Sequence, residues 1–140
     1  MRSLGIDYGR RRIGLALSDP SMLLATPFDV IENKGVKKTV ARLVEIIKQN
    51  DVGIVVMGLP LHVSGGESEM SKEVREFGAA LQLDIDVAIE YLDERWTSMT
   101  AVELIREGRG RKRKNDANLI DKVAASVILQ TYLDERRKRT

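Results

Sequence analysis

Short apolar runs separated by polar turns mark the beginning of the chain. Residues 3–8 and 13–19 are two such runs, joined by the basic turn Gly9-Arg10-Arg11-Arg12, and this pattern predicts a β-hairpin. Residues 23–31 are apolar enough to add a third strand. Pro27 lies within that run and has no N–H to donate, so the third strand is predicted to be an edge strand or to be broken there.

The middle of the chain changes to helical spacing and back again. Between Val36 and Asn50, apolar residues recur at intervals of three and four, which predicts an amphipathic helix. The run Val52–Leu59 is continuously apolar, as expected for a strand covered on both faces. A second amphipathic helix is predicted over Ser68–Leu83, followed by another buried strand over residues 85–92.

The rest of the chain is predicted to be helical. A short helix over Thr97–Glu107 ends at Gly108, and a last helix is capped by Asn115 or Asp116. The element order is therefore βββαβαβαα, which favours an α/β fold with a mixed five-stranded sheet flanked by helices, in one domain over residues 1–140. The last helix is expected to bury a stripe comprising Leu119, Ile120, Val123, Ala124, Val127 and Ile128.

Composition restricts the setting in which the protein works. The chain has no cysteine, which excludes disulfides and thiolate metal sites. No stretch approaches the ~20 apolar residues that cross a bilayer. Asp7 follows the N-terminus too closely for a secretory signal. These features predict a cytoplasmic protein without a membrane partner.

Positive charge is concentrated in the last third of the sequence. Residues 91–140 carry 12 Lys and Arg against 8 Asp and Glu. Much of the excess lies in the run Arg111, Lys112, Arg113 and Lys114, and clustered bases of this kind favour phosphate contacts with a polyanion. A solvated loop is the alternative interpretation of this run, and the second basic run, at residues 136–139, has the features of a frayed tail.

Asp7 is the first candidate for chemistry. It lies inside a central apolar strand, where a carboxylate is costly unless a metal ion, a base or hydrogen-bond donors compensate it. The motif Asp7-Tyr8-Gly9 occurs in RNase H-like nucleases and in sugar-kinase and actin-like ATPases, and a turn-stabilising aspartate is a third possibility. The ATPases need a second lobe, for which 140 residues leave no room.

Further acids lie at the end of the fifth predicted strand and on the last helix. Asp93 and Glu94 are adjacent, and because side chains alternate along a strand only one of them can join Asp7. Arg95 is able to neutralise either acid in an ion pair. Asp121 lies along the flank of the apolar stripe of the last helix, where small neighbours allow a close approach to the sheet. His62, the one histidine, lies in a glycine-rich loop, where an exposed loop histidine is favoured over a general base.

Four motifs taken together resemble the YqgF/RuvX family. They are Gly5-Ile6-Asp7-Tyr8-Gly9, Gly58-Leu59-Pro60 with Gly65-Gly66, Asp93-Glu94-Arg95, and Asp121-Lys122-Val123-Ala124-Ala125, in the family's order across the whole chain. The resemblance implies an RNase H-like fold and a nuclease that matures the 5′ end of 16S rRNA in bacteria. It assigns Asp7 as the central metal ligand, Glu94 as the second acid, with Asp93 as the fallback, and Asp121 as the third.

The resemblance also implies a cofactor and partners. Oxygen ligands without a His or Cys cluster favour Mg²⁺ or Mn²⁺. The partner is expected to be precursor rRNA or branched DNA, bound by a monomer or weak homodimer through Arg10, Arg11, Arg95, Arg111, Lys112, Arg113 and Lys114. Holliday-junction resolution by a dimer and a non-catalytic nucleic-acid-binding module remain the alternatives.

Overall fold

The computed structural model describes residues 1–62, 64–96 and 114–139. Within them the strands are β1 (Arg2–Asp7), β2 (Arg12–Ser18), β3 (Ala25–Glu32), β4 (Val52–Leu59) and β5 (Ala88–Asp93). The helices are α1 (Val36–Gln49), α2 (Glu69–Gln82) and α3 (Lys114–Lys138), and a short 3-10 turn, Glu94–Trp96, follows β5. The helix predicted over Thr97–Glu107 and its stop at Gly108 lie outside the described residues.

The five strands form one mixed sheet in the order β3-β2-β1-β4-β5. The hairpin β1–β2 and the pair β2–β3 are antiparallel, whereas β1–β4 and β4–β5 are parallel. The predicted mixed five-stranded sheet is therefore confirmed. Pro27 lies beside a register shift in the edge strand β3, where its missing N–H removes no central ladder bond.

Helices cover both faces of this sheet. Leu4 and Ile6 of β1 pack with α1 and α2, including the fully buried Phe77. Gly5 faces the other way, because an added Cβ there would meet Leu129 and Ala125 of α3. Since side chains alternate along a strand, Asp7 shares the α3 face with Gly5.

The ends of α1 and α2 follow from local chemistry. Gly35, in a positive-φ conformation that L side chains rarely adopt, precedes α1. Ser68 caps α2 in a capping box, in which its side chain accepts from the Ser71 backbone and the Ser71 hydroxyl accepts from the Ser68 backbone. The predicted helices at Val36 and Ser68 are thus confirmed to within one residue at each end.

Three expectations about the second half of the chain are wrong. The last strand is Ala88–Asp93 rather than 85–92, and it is a half-exposed edge strand rather than a buried one. Asn115 and Asp116 lie within the first turn of α3, which begins at Lys114, so neither precedes its first residue as the predicted start required. Leu119 is 52% exposed because α3 turns the stripe Ile120, Ala124, Ala125, Ile128, Leu129 and Leu133 to the sheet instead. No helix in the described ranges has the length and apolar character needed to span a membrane.

Candidate active site

Asp7 lies at the carboxyl end of the central strand β1, between two glycines on the neighbouring strands. Across the β1–β2 hairpin its register partner is Gly14. On the parallel side Ile6 pairs with Met57, so the next residue of β4, Gly58, lies beside Asp7. A pocket of about 290 Å³ opens here and is lined by Asp7, Gly9, Arg12 and Asp121, among others.

Asp121 of α3 is held against β2 by both its backbone and its side chain. An added Cβ at Gly14 would collide with the backbone carbonyl oxygen of Asp121, so the helix packs directly on the strand there. The Nε atom of Arg12 donates to Oδ2 of Asp121 at 2.6 Å. The Asp121 side chain is only 14% exposed, so this charge-assisted hydrogen bond compensates a mostly desolvated carboxylate.

Glu94 reaches the same region from the other side. Leu92 of β5 packs with the apolar cluster on α3, and Glu94 follows it by two residues, at the start of the 3-10 turn. An added Cβ at Gly58 would collide with Oε1 of Glu94 and would lie 3.0 Å from its Cδ. The Glu94 carboxylate therefore occupies the space above Gly58, next to Asp7 on the α3 face.

Asp93, the fallback for the second acid, is bound to its own neighbour. Nη2 of Arg95 lies 2.5 Å from Oδ2 of Asp93, and the backbone N–H of Arg95 donates to Oδ1 at 3.0 Å. The hydrogen bond to Asp93 raises the pKa of Arg95 and outweighs the opposing effect of desolvation. The ion pair foreseen for Arg95 is thus made with Asp93.

The donor set suits a hard divalent cation, because it offers carboxylate oxygens around a glycine-lined opening. In the described ranges, however, no three His, Cys, Asp or Glu side chains are grouped closely enough to hold a metal ion. Asp121 contacts Arg12 instead, at 2.6 Å. The residues fit a cation by their chemistry and their common face.

Comparison with known proteins identifies the family. The family described as "RuvX: Holliday junction resolvase" matches residues 1–135. The chain belongs to the RuvX family. A relative from Endomicrobium trichonymphae, named "Putative pre-16S rRNA nuclease", is 41% identical over 133 residues, which cover 95% of each sequence. The resemblance inferred from the four motifs is therefore confirmed.

Solved structures support the fold of this RuvX family member. RuvC of T. thermophilus, in complex with a Holliday junction substrate, aligns with a TM-score of 0.59 at 16% identity over 98% of this chain and 96% of RuvC. The fowlpox virus resolvase, in complex with Holliday junction DNA, aligns with a TM-score of 0.59 at 10% identity over 96% of this chain and 98% of the resolvase. At these identities the likeness establishes the RNase H-like fold and nothing more specific.

The basic residues expected to bind nucleic acid have different surroundings in this RuvX chain. Arg10 makes a bidentate ion pair with Glu73 of α2, at 2.8 Å from Nη2 to Oε1, and this pair raises the pKa of Arg10 and lowers that of Glu73. The Arg11 side chain is exposed, and among the described residues it has no ion-pair partner. Lys114 begins α3, whereas Arg111, Lys112 and Arg113 lie outside the described residues.

A groove of about 750 Å³ adjoins the acid pocket. The two share the wall formed by Arg10, Arg11 and Arg12, and Asn33 and Asn118 line the groove's far side. Arg95 lies away from this groove, against Gly65, where an added Cβ would be 3.1 Å from Nη1. The arginine turn between β1 and β2 therefore separates the acids from a roomy polar groove.

The loop before α2 has its polar groups largely engaged. Glu67 accepts hydrogen bonds from the Ser71 hydroxyl and, at 2.7 Å, from Nε of Arg75, and these contacts lower its pKa, the Ser71 bond being the largest cause. Ser68 donates to the Pro60 carbonyl at 2.6 Å. The carboxylate of Glu67 thus stands at the helix start, where an anion would otherwise be favoured.

Sequence reasoning missed Arg12, Gly14 and Gly58 as parts of the site. The two glycines interrupt otherwise apolar strands, which is a recognised sign that another backbone or a ligand approaches closely. Arg12 carries no comparable signal, because its partner Asp121 is 109 residues away in sequence.

Proposed function

We propose that this RuvX family member is a metal-dependent nuclease that hydrolyses phosphodiester bonds and processes the 5′ end of precursor 16S rRNA, as a single domain. The observation that carries the proposal is the position of three acids on one face of the sheet. Asp7 ends the central strand, and the two glycines beside it are covered by Asp121 and Glu94 respectively. The name of the relative from Endomicrobium trichonymphae supports precursor rRNA as the substrate.

The three carboxylates would together hold Mg²⁺ or Mn²⁺. When bound, such an ion supplies a nucleophilic water at neutral pH and stabilises charge on the leaving oxygen. Asp7 is the central ligand in this assignment, because it lies between the other two acids. The α3 helix and the sheet hold these carboxylates on rigid elements, which limits their motion.

Arginines would bind the phosphates on either side of the reacting one. Arg11 is exposed beside the acid pocket, and Arg10 and Arg12 form the rest of the wall shared with the 750 Å³ groove. Arg95 and the run Arg111, Lys112, Arg113 and Lys114 extend the proposed contact surface. Positive side chains favour a polyanion regardless of its sequence, so these residues provide affinity and position rather than specificity.

The decisive experiment replaces Asp7 by Asn. This change keeps the size of the side chain and removes the charge that holds the cation, so cleavage of a precursor rRNA fragment should fall by orders of magnitude. Folding should stay near wild type, because a neutral amide relieves repulsion among the acids. RNA binding, measured by fluorescence anisotropy, should persist because the basic residues are unchanged.

The matched control is Asp86→Asn, the same chemical change at an exposed position before β5, towards the opposite end of that strand from Glu94. It should cleave like wild type in Mg²⁺ or Mn²⁺, and EDTA should stop both. An Asp7→Asn protein that cleaves as fast as wild type would show the mechanism to be wrong. If wild type and Asp7→Asn both fail to cleave with any metal while both still bind RNA, the protein is a binding module.

Holliday-junction resolution is the second candidate, and the family's description favours it. Resolution requires two symmetric cuts and therefore a dimer, whereas we expect a monomer or weak homodimer. Four-way DNA junctions should be tested beside the rRNA fragment, with the mass in solution measured at the assay concentration. Paired cuts by a stable dimer would favour the junction, and cleavage of rRNA by a monomer would favour rRNA processing.

A further inference from the structure

The strand β2 fixes Asp121 at two points. The backbone carbonyl of Asp121 packs against Gly14, and the Asp121 carboxylate accepts a hydrogen bond from Arg12, two residues earlier on β2. The Nε–Oδ2 distance is 2.6 Å, and the side chains are 37% exposed for Arg12 and 14% exposed for Asp121. The backbone contact sets where the helix lies, and the ion pair sets the direction in which the carboxylate points.

A carboxylate as desolvated as Asp121 is costly when no positive charge accompanies it. In the part of the chain that the structure describes, Arg12 supplies that charge, and no three acids are grouped to hold a metal ion. A divalent cation bound by Asp121 and Asp7 would compete with the guanidinium for the same carboxylate and would repel it. Each positive charge therefore weakens the binding of the other to this acid.

Arg12 has room to leave. Its side chain is the more exposed of the pair, and it lines both the acid pocket and the adjoining groove of about 750 Å³. Asp121 cannot follow, because its backbone packs against Gly14. A separation of the pair thus moves the arginine and leaves the acid in place.

We propose that Arg12 is a positioning residue that holds Asp121 in the metal-free protein and releases it to the divalent cation. The inference rests on the proposed function, since it assumes that Asp121 is a metal ligand. Arg12 fixes the direction of the Asp121 carboxylate where α3 contacts β2. It also makes cation binding an exchange, so that the site binds its cation less tightly than it would without the arginine.

The test measures stability and Mg²⁺ binding separately from cleavage. Arg12→Gln should melt at a lower temperature than wild type in EDTA. It should also bind Mg²⁺ more tightly by calorimetry, by up to about tenfold, which is the upper end expected for the loss of a partly exposed competing ion pair. For Arg12→Lys, which keeps the charge, the melting temperature and the Mg²⁺ affinity should both lie between those of wild type and Arg12→Gln. The control is Arg42→Gln, which removes one charge and the exposed pair with Glu45 on α1 and should leave Mg²⁺ affinity unchanged.

A double variant shows whether Arg12 acts through Asp121. In an Asp121→Asn background, Arg12→Gln should cause little further loss of melting temperature. An equal loss in both backgrounds, or Mg²⁺ binding by Arg12→Gln that is no tighter than wild type, would overturn the proposal. If wild type cleaves while Arg12→Gln binds Mg²⁺ no more tightly than wild type does, only the proposed role of Arg12 fails. If Arg12→Gln binds more tightly while Asp7→Asn still cleaves, the nuclease mechanism fails and the role of Arg12 stands.

Discussion

Replacing Gly58 by Ala should disable the site with little effect on the fold. The new Cβ would lie 2.8 Å from Cδ1 of Ile128 and 3.0 Å from Cδ of Glu94, with Oε1 of Glu94 closer still. Ordinary contact begins at 3.4 Å, so the carboxyl carbon must retreat by about 0.4 Å and Oε1 by on the order of 1 Å. These obstacles are the ends of flexible side chains, and no backbone has to move.

The effects of Gly58→Ala on the cleavage rate and on stability differ greatly in size. A misplacement of about 1 Å in a catalytic group costs on the order of 100-fold in rate. Overpacking by one methyl group costs about 1–3 kcal/mol, and the lower end applies here because side-chain rotation relieves the collision. We therefore expect a protein that melts a few degrees below wild type and cleaves on the order of 100 times more slowly.

Gly53→Ala on the same strand is the matched control. The three atoms nearest to its Cβ would all belong to the Met1 side chain, which is exposed and can rotate into solvent. Both variants are compared by single-turnover cleavage in Mg²⁺ and by thermal melting, and Gly53→Ala should cleave like wild type. The double variant Gly58→Ala with Glu94→Gln should be no slower than the slower single variant, because both act on one carboxylate. A folded Gly58→Ala protein with cleavage near that of wild type would refute the placement of Glu94 in the site.

Two further predictions concern nucleic-acid binding and alkaline stability. Replacing Arg111, Lys112, Arg113 and Lys114 together by Ala should weaken RNA binding and reduce the slope of log affinity against log salt by up to about 3, at ~0.7 per lost phosphate contact. The control removes the four charges of residues 136–139. An unchanged slope for the 111–114 variant would show that residues 111–114 are a solvated loop. Burial, followed by its hydrogen bond to Glu90, raises the pKa of Tyr132 to about 12 from 10.0. The neutral phenol is therefore favoured in the folded state. Its contribution to the free energy of unfolding is fully present below pH 10 and is lost as pH rises towards 12. The difference in unfolding free energy between wild type and Tyr132→Phe, measured with denaturant, should accordingly shrink across that range, and a constant difference would contradict this.

The sequence determined the local elements and supplied the candidate acids. The apolar spacing between Val36 and Asn50 and the run Val52–Leu59 predicted α1 and β4, because periodicity depends only on which residues follow one another. The element order predicted the mixed sheet, and four motifs in order predicted the RuvX family. The acids Asp7, Glu94 and Asp121 were named on the same basis.

The tertiary structure decided exposure and partnership. The last strand looked buried from its composition, but β5 is at the sheet edge, and strand order is not written in any local pattern. Leu119 fits a helical stripe and is nevertheless exposed, since the sheet covers only one side of α3. The pairing of Arg12 with Asp121 depends on how closely α3 packs on Gly14. Contacts between residues distant in sequence arise from the packing of whole elements, and so only the folded chain shows which charge each acid meets.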